Sequence, residues 1–191
     1  MSRSDFGEVG KTASLVDRLA RAVHCLQYAE GLNPAQWVAL RYLDCANPQS
    51  RTPTGLAEFL ATTKGTASQT IKSLEQKGFV GRAQHATDRR KCLLELTEKG
   101  RDVLARDPLH QVQAAASGCE AELESAIGIL SRLVREIQQG CGMREFGVCL
   151  QCGHRKSGSG CSKAPENVCG LTGDPIAATD VKKICVNFRQ A

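Results

Sequence analysis

"LAEFLATTKGTASQTIKSLEQKGFVGRAQHATDRRKCLLELTEKG", Leu56 to Gly100, decides the fold. With Thr54 at its start, GLAEFLA reads as a short helix, and a turn at Thr62-Thr63 leads into KGTASQTIKSLEQ, which stops at Lys77-Gly78. Two short helices joined by a tight turn, the second rich in small polar residues, fit a helix-turn-helix. Helical spacing puts Ala67, Ile71 and Leu74 on the core side of the second helix. It leaves Lys64, Thr66, Ser68, Gln69, Thr70, Lys72 and Ser73 pointing outward. Those short or flexible hydrogen-bonding side chains suit base edges and phosphates in a major groove. On a lone helix the same composition would be no more than a solvated face.

The next segments favour the first reading. FVGRAQ and KCLLELT can pair as strands across HATDRR, and Cys92, Leu94 and Leu96 alternate with Lys91, Leu93, Glu95 and Thr97 to give one apolar face. The hairpin carries Arg82, His85, Arg89, Arg90 and Lys91. Beside a recognition helix, such a hairpin is a wing able to place an arginine in the adjacent minor groove. Asp88, next to two arginines, orients the loop through ion pairs. Charge agrees: Arg51 to Lys91 holds eight Lys/Arg against three Asp/Glu, an excess of five that equals the net charge of the whole chain.

Upstream, Ser14 to Glu30 has apolar residues at helical spacing and Gly31 as a stop. Asn33-Pro34 is an N-cap followed by proline at the first helical position of AQWVALRYLDCA, and NPQSRTP is a loop. Downstream, EAELESAIGILSRLVREIQQ places Leu123, Ile127, Leu130, Val134 and Ile137 on one stripe, fit for a dimer interface or for an intramolecular core.

The order helix, turn, recognition helix ending Leu74-Glu75-Gln76-Lys77-Gly78, wing with Asp88-Arg89-Arg90, then Leu96-Thr97-Glu98-Lys99-Gly100 resembles MarR-type transcriptional regulators. The resemblance extends over about residues 14–139. It implies a mainly α fold with a small β-hairpin wing and a homodimer built from the first and last helices. It also implies a repressor that binds a pseudo-palindromic operator in double-stranded DNA, with one recognition helix per half-site. The DNA-contacting set is then Lys64, Thr66, Ser68, Gln69, Thr70 and Lys72 in the helix, with Arg89 and Arg90 in the wing.

An enzyme is not expected. His24, His85 and His110 have no nucleophile or paired carboxylate at a telling spacing, and no GxxxxGK[ST] loop occurs. No run of 18 apolar residues would span a membrane. MSRSDFGEVGKT lacks the apolar core of a signal peptide, so a cytoplasmic protein is expected.

Cysteine usage divides the chain. Of ten cysteines, six (Cys141, Cys149, Cys152, Cys161, Cys169 and Cys185) lie in the last 51 residues. The expected organisation is a flexible 1–13, a winged-helix and dimerisation domain over 14–140 with its helix-turn-helix and wing at 54–97, and a cysteine-rich tail over 141–191. The tail has few large apolar residues, so it needs a staple, and in a reducing cytosol that staple is metal. Cys149-Leu150-Gln151-Cys152-Gly153 is a knuckle in which two thiolates can grip one ion while glycine lets the chain turn beneath. The expected ligands are Cys149, Cys152, Cys169 and Cys185, at separations of 3, 17 and 16 residues, with Cys161 as the spare candidate. Cys141 lies too near the helix end, and His154 too near Cys152, to be first choices.

Zinc is preferred because it most often occupies four-cysteine sites, but a single CxxC with isolated cysteines also suits an iron–sulfur cluster. A cluster would make the tail a redox sensor, and zinc would make it structural. Cys25, Cys45, Cys92 and Cys119 are scattered, and Cys25 and Cys92 read as small packed thiols rather than oxidant sensors. Two other functional readings remain at this level. One is a redox or metal-handling protein that uses its helical part for partner docking. The other is a regulator released by a small aromatic effector bound near the dimer interface.

Overall fold

The computed structural model describes residues 7–84, 92–157 and 167–191. Seven α-helices are described: α1 Gly7–Leu26, α2 Pro34–Cys45, α3 Pro53–Phe59, α4 Lys64–Gln76, α5 Glu98–Leu104, α6 His110–Ala116 and α7 Leu123–Gly140. Strands β1 Val80–Gln84 and β2 Cys92–Leu96 form an antiparallel hairpin in which Val80 faces Leu96 and Gln84 faces Cys92. In the tail, β3 Gly147–Val148 pairs with β6 Ile184–Cys185, and β4 Arg155–Ser157 pairs with β5 Asn167–Cys169, both antiparallel.

Helix α2 is the hub. It opens on a capping box in which Asn33 and Gln36 satisfy each other's backbone amides, with Pro34 at the first position. Trp37, Leu40, Tyr42 and Leu43 bury against Leu56 of α3, Ile71 and Leu74 of α4, Leu94 of β2 and Val103 of α5. Burial of each such side chain contributes about 1.5–3 kcal/mol. The same core includes Val186 from the tail, and Phe146 and Ile184 pack on it. The tail therefore borrows the helical core instead of building its own.

Two expectations need correction. The first helix begins at Gly7 rather than Ser14, so the stretch expected to be flexible is helical from that point, and it ends at Leu26. Glu8 favours a helix start through the macrodipole, whereas the apolar period begins only at Leu15 and could not reveal the first two turns. At the other end, Glu30 and Gly31 have positive φ (53° and 67°), which redirects the chain toward α2. Before α7, Ser117–Glu122 forms a 3₁₀ turn with a kink at Cys119. Helices α1 and α7 bury no residue within the chain.

Candidate nucleic-acid interface and thiol cluster

Helix α4 is capped by Thr63, whose hydroxyl accepts the amide of Thr66 at 3.1 Å. Ala67, Ile71 and Leu74 are buried, fixing which face looks outward. Lys64, Thr66, Ser68, Gln69 and Lys72 are exposed, and Thr70 is half-buried, its hydroxyl turned back to the Thr66 carbonyl at 3.2 Å. Ser73 does not belong to that face. It accepts a 2.8 Å bond from Gln36 Nε2, because the helix meets α2 there. Arg89 and Arg90 lie outside the described residues.

The motif residues around α4 act as clamps. Glu75 pairs with Arg82 at 2.5 Å, fastening the first wing strand to the last turn of α4 and removing Arg82 from the expected free wing cations. Gly78 adopts φ 75°, as the reversal into β1 demands. Thr97 donates to the Gly78 carbonyl at 2.7 Å while its oxygen caps α5 through Gly100. Lys99 bonds the Lys77 carbonyl at 2.8 Å and lies over the Phe79 ring. Lys77 in turn donates to the Gly31 carbonyl at 2.6 Å. The Leu-Glu-x-x-Gly and Thr-Glu-Lys-Gly segments thus set the angle between recognition helix and wing.

In the tail, Cys149, Cys152 and Cys185 are buried and Cys169 is half-buried. Pairing of β3 with β6 sets Gly147 opposite Cys185, and pairing of β4 with β5 sets Arg155 opposite Cys169. Cys149, Cys169 and Cys185 line one cavity of about 260 Å³ together with Asn47, Asp174 and Asp180. Burial, and then the neighbouring Cys185, push the Cys149 thiol up, with smaller contributions from Cys152 and Cys169 against a lowering bond from Asn47. At Cys169 burial also raises the pKa, but bonds from the Thr172 amide and hydroxyl and the Leu171 amide outweigh it and lower the net value. All nine described cysteines are free thiols. Among the described residues, no group of three or more His, Cys, Asp or Glu side chains is arranged to hold a metal ion. Cys161 lies outside the described residues.

Of the scattered cysteines, Cys25 is exposed rather than packed, since α1 turns that side away from the core, as are Cys45 and Cys119. Cys92 is half-buried at the wing edge. Asn47 and Ser50, which tie the tail to the helical core, stood in the sequence as plain loop residues. Their turn-forming chemistry was the available signal, and their tertiary partners were not.

Two short helices, the second locked to α2 with a polar outer face, and an antiparallel wing fastened to it define a winged helix-turn-helix DNA-binding protein. The family model described as "MarR family" matches residues 32–92. Over 120 residues the chain is 32% identical to the transcriptional repressor MprA of Escherichia coli strain K12, covering 59% of this chain and 68% of that one. Over 100 residues it is 31% identical to the HTH-type transcriptional repressor YetL of Bacillus subtilis strain 168, covering 51% of this chain and 60% of that one. The crystal structure of the transcriptional regulator SlyA superposes with a TM-score of 0.55 at 25% identity, over 68% of this chain and 95% of that one. The chain belongs to the MarR family of transcriptional regulators and is not an enzyme. No helix among the described residues is long and apolar enough to cross a membrane.

Proposed function

We propose that this chain is a homodimeric repressor that reads a pseudo-palindromic operator through α4, and that its tail binds a metal through Cys149, Cys152, Cys169 and Cys185. The observation that carries the DNA-binding reading is the division of α4 into a wholly buried apolar side and an exposed side of Lys64, Thr66, Ser68, Gln69 and Lys72. Arg89 and Arg90 supply the wing's minor-groove contact in this reading. The repressor sense follows MprA and YetL, both described as repressors.

The dimer is supported by α1 and α7. Leu15, Val16 and Leu19 on α1, with Ile127, Leu130, Val134 and Ile137 on α7, are each between 38% and 61% exposed. Apolar side chains in two continuous helical stripes exceed the scatter normal on a monomer, and the same stripes on a second copy cover them isologously.

The metal reading is supported by three of the four cysteines sharing a cavity, and by the Cys152 amide donating to the Cys149 carbonyl at 3.1 Å. A metal that drew the four sulfurs together would supply the stabilisation that the tail's sparse apolar content does not. Zinc is preferred over an iron–sulfur cluster. The test is visible absorption with zinc, iron and sulfide analysis of protein purified without oxygen. The expected result is a colourless protein with about one zinc per chain. A brown protein with iron and acid-labile sulfide would reassign the site to a cluster, and a metal-free protein would end the metal reading. For the DNA half, Gln69→Ala and Lys72→Ala are expected to weaken binding to a duplex selected from a random pool, and unchanged binding would remove α4 as the reader.

A further inference from the structure

The tail reaches the helix-turn-helix through Arg144. Gly142 adopts φ 62°, reversing the chain just after α7, and Arg144 then donates through Nη1 to Glu58 Oε2 of α3 at 2.5 Å and to the Val186 carbonyl at 3.3 Å. Both bonds use one nitrogen, so among the described residues Nε and Nη2 have no partner, and half of the side chain is exposed. A guanidinium is a rigid fork of N–H donors that stays charged. Arg144 is anchored at one corner of that fork and keeps the rest for another acceptor.

Two grooves meet at this pair, both lined by Arg144 with Thr54 and Glu58 of α3. The first, about 340 Å³, continues to Met143 and to Lys64 at the start of α4. The second, about 460 Å³, continues to Cys92 at the start of wing strand β2 and to Thr172 and Asn187 of the tail. In a helix-turn-helix the first helix crosses the DNA backbone while the second enters the major groove. Thr54 and Glu58 stand one turn apart on the side of α3 that the core leaves uncovered, and the grooves join that side to both α4 and the wing. A duplex seated on α4 and the wing carries a phosphate backbone past them. Charge agrees: the tail, residues 141–191, holds seven Lys/Arg against four Asp/Glu, an excess of three.

We infer that the tail is a further DNA-contacting element, in which Arg144 neutralises the Glu58 carboxylate and gives its remaining N–H groups to a phosphate of the operator backbone. The inference rests on the DNA-binding reading above and is independent of the metal reading. One guanidinium serves both duties because its fork meets a carboxylate and a phosphate at once. A phosphate contact carries no base information, so the tail adds affinity and salt dependence without changing which sequence is selected.

The experiment is a salt series of fluorescence-anisotropy titrations with full-length protein and a duplex selected from a random pool. Arg144→Ala is expected to weaken binding about tenfold and to lower the slope of log Kobs against log salt by about two, one phosphate contact for each chain of a dimer. Glu58→Gln breaks the same ion pair but leaves the guanidinium, and it is expected to bind at least as tightly as wild type. Arg144→Ala with wild-type affinity and slope would overturn the inference. So would Glu58→Gln weakened as much as Arg144→Ala, since the pair would then act only as a brace for the fold. Should Arg144→Ala melt early, Asn187→Glu decides: it adds a negative charge to the second groove without touching the pair, and unchanged binding would overturn the inference. Gln69→Ala in the same series separates the failures. If it weakens binding while the tail variants do not, α4 stands and the tail contact falls, and if it too is without effect, the DNA-binding reading falls as well.

Discussion

At the level of single residues, Gly55 carries the tightest constraint between the loop and the tail. A methyl group there would meet the Ser50 carbonyl at 2.5 Å, the Tyr42 hydroxyl at 2.8 Å and Val186 at 3.1 Å. Two of those atoms are held by hydrogen bonds, so the strain cannot relax through a free rotamer. Gly55→Ala is expected to lower stability by about 1–3 kcal/mol, read as a fall in thermal midpoint. An unchanged midpoint would mean that the loop yields easily to the added methyl group.

Asp107 makes a pH prediction. Burial raises its pKa, but the Arg41 hydrogen bonds at 2.6 and 2.9 Å, the Leu109 amide, and the charges of Arg41 and His110 outweigh this and hold it below the usual value. A carboxylate with a depressed folded pKa contributes stability above its unfolded pKa, about 3.9, and loses it as pH falls through the folded value. Wild type should therefore melt above Asp107→Asn at pH 6, and that lead should shrink below about pH 4. A lead that stays constant with pH would show that the pair does not contribute in its charged form.

At the level of elements, the wing makes a prediction distinct from that of the recognition helix. Arg89→Ala with Arg90→Ala should weaken operator binding and lower its salt slope by about one per lost phosphate contact, with the melting curve unchanged. Unchanged binding would remove the wing from the interface. The helix-turn-helix was legible because its rules are local. Thr63 caps α4 through its own side chain, and Ala67, Ile71 and Leu74 fall on one face by spacing alone. The apolar face of the second wing strand followed from the alternation, which buries Leu94 and Leu96, whereas the register with the first strand did not. The Asn47–Cys149 bond was not legible, since it joins residues 102 apart in sequence through a loop that shows only turn residues. Nor was the duty of Arg82, because a wing arginine and an arginine paired to Glu75 have the same sequence signature. Cys149, Cys169 and Cys185 line one cavity, although no group of three or more His, Cys, Asp or Glu among the described residues is arranged there to hold a metal ion. The spacing that suggested them contains no information about how Asp174 and Asp180 would come to share that cavity.

At the level of the whole molecule, the account depends on two copies. Leu130→Asp with Val134→Asp places charges in the exposed stripe of α7, where neither residue is buried within one chain. Size-exclusion chromatography with light scattering should show the variant as a folded monomer. A dimer that persists would place the interface elsewhere. The tail shares the winged-helix core through Val186, and Arg144 pairs with Glu58 of α3 at 2.5 Å, so thiol chemistry and DNA geometry belong to one packed unit. The most direct measurement is native mass spectrometry of the full-length protein with its selected duplex, paired with a salt titration of binding. Two chains per duplex are predicted, with affinity falling linearly as log Kobs against log salt. One chain per duplex, or binding indifferent to salt, would contradict the account.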